Sequence, residues 1–442
     1  MAMAEELSLE ADKFVVDVQW PSAPEAGGNE RLDASLARFE MKAGNTALTA
    51  FQTDGGAKST YLTTPTYYLI EWLAQNWWAF LYEPRKLDRS EAEAEFRSRH
   101  WFGVARNGFA LPDLTFVPSG ETMELTARQS YLRFAQLSFT ETSSSIVRTS
   151  QVRDELAKFI QTILDHMIEK GIKRSDAHDA WLKIVETSKE EEGYCRLIGS
   201  MGLSPYVPHP DIDAALDGIS DVITESVLTD LCEATTLSSF SHAAEFTGRI
   251  SSALNSSSSI EIAPMLKGSR PDDNVSKAYE WGYNAASQAR LAMGISHDDP
   301  GGRLEFFKKL GFDPRSSTDI GTPVSTVFPI QAAVARSDKQ MKLALSSGTD
   351  KEFSAARGSF LAWLSDNNGS RLVTTARTRE QRASRAFGAE LLAPAGYLKK
   401  RLGRERDVSP FTLDKISNEI GVASTIVRLQ AQNNGYQILE AA

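Results

Sequence analysis

Cysteine is almost missing from this chain: Cys195 and Cys232 are the only two in 442 residues. Two thiols make neither a disulfide framework nor a Cys-based zinc site, and such usage suits a reducing, cytoplasmic setting. Histidine is equally sparse. The six residues (His100, His166, His178, His209, His242, His297) stand singly, and none lies four positions from another. No run of about 18 apolar residues occurs, so no membrane-spanning helix and no membrane partner are expected. The opening MAMAEELSLEADK is acidic and lacks an apolar stretch, which argues against a signal peptide. What is present is ordinary for a folded protein. Hydrophobic residues make up 41 % and charged residues 24 %, and the length suggests two or three domains.

Charge is unevenly placed. The formal net charge is −10, yet residues 274–442 hold 23 Lys+Arg against 17 Asp+Glu, or +6, which leaves −16 for the part before them. Residues 371–406 alone carry ten basic and three acidic side chains. Such a segment offers a solvated helix face or a surface for an acidic partner, nucleic acid included.

Periodicity divides the chain into four parts. Residues 1–125 alternate in short strand-like runs around one aromatic helix, YYLIEWLAQNWWAFLY at 67–82; this is an acidic α/β domain. Five of the eight tryptophans lie in it, and adjacent Trp77 and Trp78 are both buried only if the helix is largely enclosed. An exposed face there would instead suit a protein interface. Residues 126–234 read as a helical middle region, with helices expected over 152–169, 177–188 and 212–234. The Ser/Thr-rich stretch 235–259, with SSSS at 256–259, reads as a surface loop opening a linker that runs to 273. Residues 274–442 follow as a last, mainly helical domain. Helices are expected there over 274–293, 304–310, 351–364, 379–392 and 396–402, with a hairpin at 331–335 and 341–345 and a closing helix pair at 412–420 and 424–433.

The stretch RAFGAELLAPAGYLKKRL (385–402) resembles the segment that follows the active site in the ImmA/IrrE family of metallopeptidase-like proteins, which reads like EANxFAAELLMP. The order upstream is similar: a lead-in helix at 278–295, a short helix at 302–314, then a strand pair and a helix at 331–364. The closing pair at 413–435 is similar as well. The resemblance implies a zincin-like α+β domain of about 165 residues, with HExxH on the helix at 351–364 and a further Glu on the next helix completing the zinc ligands. It places Arg357 at the first His, Gly358 at the general base, Leu361 at the second His and Ala383 at the third ligand. None of these side chains ligates zinc or acts as a base in the way required. No metal, no cofactor and no zinc peptidase activity are therefore expected.

The reading that follows is a bacterial, non-catalytic regulatory protein of phage defence, mobile elements or stress. It would hold a protein partner, such as a helix-turn-helix regulator, in the vacated cleft. Arg357, Arg382, Arg385, Lys399, Lys400 and Arg401 are the candidates for gripping a partner or an anion. Two alternatives stand beside it. The closing pair could read nucleic acid with Arg428, Gln430 and Gln432, although its second helix is weakly basic. A metal-dependent hydrolase would require distant histidines to converge, for example His100, His166 or His178 with nearby carboxylates. Smaller motifs carry less. Glu40-Met41-Lys42 has the ExK of a nuclease strand, but Asp33 is too near in sequence to supply the acid from a neighbouring strand. His209-Pro-Asp211, His242-Ala-Ala-Glu245 and His297-Asp298-Asp299 each lack a second histidine, and Gly301-Gly302 lacks the Lys-Ser/Thr of a phosphate loop.

Overall fold

Alternation in the first strand is read out directly by burial. Phe14 and Val16 of Phe14–Gln19 face the core and Asp17 faces out, against Leu36–Ala43, where Ala37, Phe39, Met41 and Ala43 are buried. The two strands pair antiparallel with Asp17 opposite Glu40. The computed structural model describes residues 12–21, 28–86, 90–221, 223–266, 277–321, 329–365, 368–404 and 406–439. Among them are 17 α-helices and five small sheets, mostly antiparallel, so the chain is an α+β protein. It divides into two units between Pro208 and His209. No helix is long and apolar enough to cross a membrane.

The first unit holds three sheets and the helix Tyr67–Tyr82, which has the bounds its periodicity predicts and packs chiefly on the helices Asp176–Val185 and Lys189–Ser200. Trp72, Trp77, Trp78 and Phe80 are all buried, and Trp77 meets Trp181 edge-on at 5.1 Å between ring centroids. The aromatic block is therefore core. The helix Thr149–Glu169 lays Val152, Leu156, Phe159, Ile160 and Ile163 on the same core. Phe159 meets Phe39 at 5.5 Å.

The second unit begins with two helices where one was expected over 212–234. Pro210–Ser220 ends near Asp221, and Glu225–Ala234 starts afresh because the Thr224 side chain accepts from Val227 N–H. The Ser/Thr-rich stretch is not a loop. Leu237–Ser256 is a 20-residue helix, started where Ser239 Oγ accepts from Thr236 N–H. Its serines misled because composition outweighed period: Phe240, Ala243, Thr247, Ile250 and Leu254 recur at helical spacing and are all buried. Of the rest of the expected linker, residues 257–266 are also ordered into the fold, with Ile260–Glu261 pairing in a sheet, whereas 267–273 and the start of the helix expected at 274 lie outside the described residues.

A five-stranded sheet follows, in the order Ile260–Glu261, Gln340–Ser346, Ile330–Ser337, Ser370–Thr374, with Thr318–Gly321 parallel to Gln340–Ser346. The hairpin is the expected one, two or three residues longer in each strand. The helices Lys351–Leu364 and Arg379–Leu392 have their expected bounds. Ala278–Ala292 crosses Arg379–Leu392 so closely that a Cβ on Gly282 would lie 2.2 Å from the Ala383 carbonyl oxygen. Gly282→Ala is accordingly expected to cost about 1–3 kcal/mol, as overpacking does. Urea unfolding checks it, and an unchanged midpoint would mean the helices part without cost.

Candidate functional site

The helix Lys351–Leu364 is set by Asp350, whose Oδ1 accepts from Phe353 N–H at 2.9 Å. From Ser354 to Leu364 every residue is buried, including Arg357 at 1 % exposure. The Arg357 guanidinium donates through Nε to Ser384 Oγ (3.1 Å), through Nη1 to Gln331 Oε1, and through Nη2 to Thr374 O (2.7 Å) and Gln381 Oε1 (2.9 Å). All four acceptors are uncharged. Burial, followed by the neighbouring charge of Arg385, pushes the Arg357 pKa well below its ordinary value. Arg385 donates to Ala376 O (2.8 Å) and Thr374 O (3.4 Å). Its own pKa is pushed down to about 10 by burial, then by Arg377 and Arg382.

Gln381 joins this cluster to a second one. Its Oε1 also accepts from Thr374 N–H (3.0 Å), and its Nε2 donates to Leu372 O (2.7 Å) and Asp230 Oδ1 (3.4 Å). Asp230, 1 % exposed on the helix Glu225–Ala234, accepts from Arg371 Nε (2.8 Å) and Nη2 (3.0 Å) and from Leu372 N–H (2.8 Å). Arg371 also meets Glu380 at 2.6 Å. Burial works against the Arg371 charge, but Asp230 and Glu380 outweigh it and hold its pKa well above normal. Strand Ser370–Thr374 ends the sheet, so its outward backbone groups would be unpaired without these side chains. Gln381 spans Leu372 O and Thr374 N–H as a peptide unit of another strand would. Asp230 takes the Leu372 N–H, while Arg357 and Arg385 take the Thr374 carbonyl. The sheet edge is sealed.

The expected site residues thus fare differently. Arg357 is no wall of an open cleft: it is enclosed, and its donors are spent on its own fold. It meets Gln381 and Ser384 on the next helix. Leu361 and Ala383 lie in the apolar core, and a Cβ on Gly358 would stand 2.6 Å from Leu343 Cδ1. Arg385 is half-buried, whereas Arg382 and Lys399 are exposed. Lys400 pairs with Asp298 and Arg401 with Glu419. In the closing helices, Arg428 grips Asp414 at 2.8 and 2.9 Å. Gln430 is fully buried between Glu390 and Tyr283, which leaves only Gln432 of the three nucleic-acid candidates exposed and unengaged by these contacts. Glu390 itself accepts from Ala395 N–H at the start of the next helix, and burial pushes its pKa up.

In the first unit, register supplies the acid that sequence could not place beside Glu40: Asp17, across the strand pair. Lys42 Nζ pairs with Glu40 at 2.7 Å and Tyr61 donates to Asp17 at 2.7 Å, so both carboxylates are already engaged. His166 stacks on Trp20 with centroids 3.6 Å apart, His178 bonds Ser175 Oγ at 2.7 Å, and His100 is enclosed. Among the described residues no three His, Cys, Asp or Glu side chains group closely enough to hold a metal. The chain matches no protein-family model, no curated protein and no solved structure.

Asp230, Gln381 and Ser384 went unread in the sequence. Gln381 and Ser384 sit one helical turn apart, but a polar pair on a helix is an everyday pattern. Asp230 is 141 residues from Arg371, so no local spacing announces it.

Proposed function

We propose that the second unit is a non-catalytic, ImmA/IrrE-like scaffold acting as a regulatory or protein-interaction module. One observation carries this reading: the position that the resemblance assigns to the first zinc-binding histidine holds a buried arginine whose guanidinium joins two strands to two helices. A metal centre fastens the same kinds of element through ligands; here hydrogen bonds from Arg357 do so. Four charge-assisted bonds to neutral acceptors leave no room for a metal-bound water or a general base at that point.

On this reading the partner does not enter a vacated cleft, because the cleft is filled. It meets the outer rim of the same scaffold, where Arg382 and Lys399 are exposed. A protein partner with an acidic surface fits that rim, and by resemblance a role in phage-defence, mobile-element or stress regulation follows. The test is a calorimetric titration of the full chain with zinc and with manganese. The expected result is no saturable binding at one equivalent. Tight binding of one equivalent would make a hydrolase the better reading.

A further inference from the structure

Arg385 stands among like charges. It belongs to the helix Arg379–Leu392, and its side chain reaches back toward the helix start, as long helical side chains do. There Nη2 donates to Ala376 O (2.8 Å) and Nη1 to Thr374 O (3.4 Å). The Thr374 carbonyl already accepts from Arg357 Nη2 at 2.7 Å, so two guanidiniums converge on one neutral oxygen. The charges that act on Arg385 are those of Arg377 and Arg382, and the one that acts on Arg357 is that of Arg385. All are positive. With its pKa pushed down to about 10, Arg385 is still a cation at neutral pH.

Other enclosed arginines of this unit follow the usual rule, in which a cation withdrawn from water is given an anion. Arg303 holds Glu352 at 2.9 Å, and Arg371 holds Asp230 at 2.8 Å and Glu380 at 2.6 Å. Arg290 donates only to carbonyls, yet Glu390, Asp299 and Asp298 all attract it. Around Arg385 the sign is reversed.

Its donors are also unspent. A guanidinium carries five N–H groups. Two are used on the carbonyls; Nε–H and one N–H on each Nη meet no acceptor among the described residues. Arg382 lies one helical turn earlier and is exposed, and Arg377 precedes the helix, half-buried like Arg385. A carboxylate would bring one charge and two oxygens in a plane. A phosphate group brings about two charges and three strong acceptor oxygens, which guanidiniums approaching from different directions can share.

We propose that Arg385, flanked by Arg377 and Arg382, anchors a phosphate-binding site beside the start of the helix Arg379–Leu392, taking inorganic phosphate or the phosphate group of a larger monoester. Arg357 does not touch the ligand; its charge behind Arg385 adds to the field that holds it. The site does not depend on the ImmA/IrrE-like reading, and the zinc titration above leaves it standing whatever its result.

The test is thermal unfolding of the full chain at about pH 7.5, where a phosphate group is mostly dianionic, with ionic strength held constant by sodium chloride. Inorganic phosphate should raise the second unit's transition saturably, and acetate should not. Phosphoserine serves as a second probe: a rise at lower concentration than inorganic phosphate needs supports a monoester as the ligand, and the reverse order supports the free ion. Arg385→Gln should weaken phosphate about tenfold or more, the worth of one bond to a charged group. The readout is the phosphate-dependent rise, which a purely structural role would leave intact, rather than the starting temperature. Should Arg385→Gln fail to fold, Arg382→Gln changes an exposed residue and should still reduce the rise. An unmoved transition at tens of millimolar phosphate, an equal rise with acetate, or a full response in both variants would overturn the proposal.

Discussion

Arg357→Met is expected to cost the second unit about 3–5 kcal/mol, most of the stability of an ordinary domain. The methionine fills part of the volume but donates nothing, so Gln331 Oε1 loses its bond, and Gln381, Ser384 and the Thr374 carbonyl each lose one. Hydrogen bonds from a charged donor are worth about 1.5–3 kcal/mol each, so four of them set a ceiling well above this figure. Two effects bring it down. The variant no longer buries a charge that the neighbouring Arg385 charge opposes, and water can enter the gap. Arg357→Lys should recover only part of the loss, because an ammonium presents its donors from one point and cannot reach all four acceptors. Urea unfolding followed by circular dichroism checks both, with each unit's transition fitted separately. A loss below about 1 kcal/mol for Arg357→Met would mean that the guanidinium is not what holds strand Ser370–Thr374 to its neighbouring helices.

The same residues show how far sequence carries. Period identified the helices Tyr67–Tyr82, Lys351–Leu364 and Arg379–Leu392 to the residue, because each has a wide apolar face and a clear stop. Composition misled at Leu237–Ser256, where serines on the outer face hid a buried stripe. The helices Ser90–His100 and Lys189–Ser200 were missed for a related reason: both are rich in charged residues and bury only a narrow face. At the candidate site, sequence singled out Arg357 but gave it the wrong surroundings. Nothing in one strand of sequence says that an arginine is enclosed, or that a glutamine will act as a peptide unit at a sheet edge. Those facts arise when residues 141 or 151 apart meet, as Asp230 meets Arg371 and Gln381. Register did the same for Asp17 and Glu40, 23 positions apart but face to face.

Asp230→Ala is the second large effect, expected at about 3–5 kcal/mol. Asp230 is almost wholly buried, and Arg371 is largely so, with a side chain 18 % exposed. Removing the carboxylate leaves Arg371 with Glu380 alone, itself 40 % exposed and therefore well screened by solvent. It also leaves the Leu372 N–H without its acceptor inside a covered sheet edge. Asp230→Asn should retain an acceptor for one of these donors but turn an N–H toward another, so its cost should fall between wild type and alanine. The pair is enclosed, so added salt should narrow the difference from wild type little, whereas it would erase a surface pair. A double-mutant cycle with Arg371→Met checks the assignment; coupling below about 0.5 kcal/mol would show that the two residues act independently. The consequence reaches beyond one ion pair. Asp230 belongs to Glu225–Ala234, and Leu237–Ser256 packs on the same sheet, yet both helices precede residue 274, where resemblance alone would begin the domain. A chain begun at 274 lacks the acceptor for Leu372 and the cover for the sheet, and should not unfold cooperatively; one begun at 209 keeps both and should.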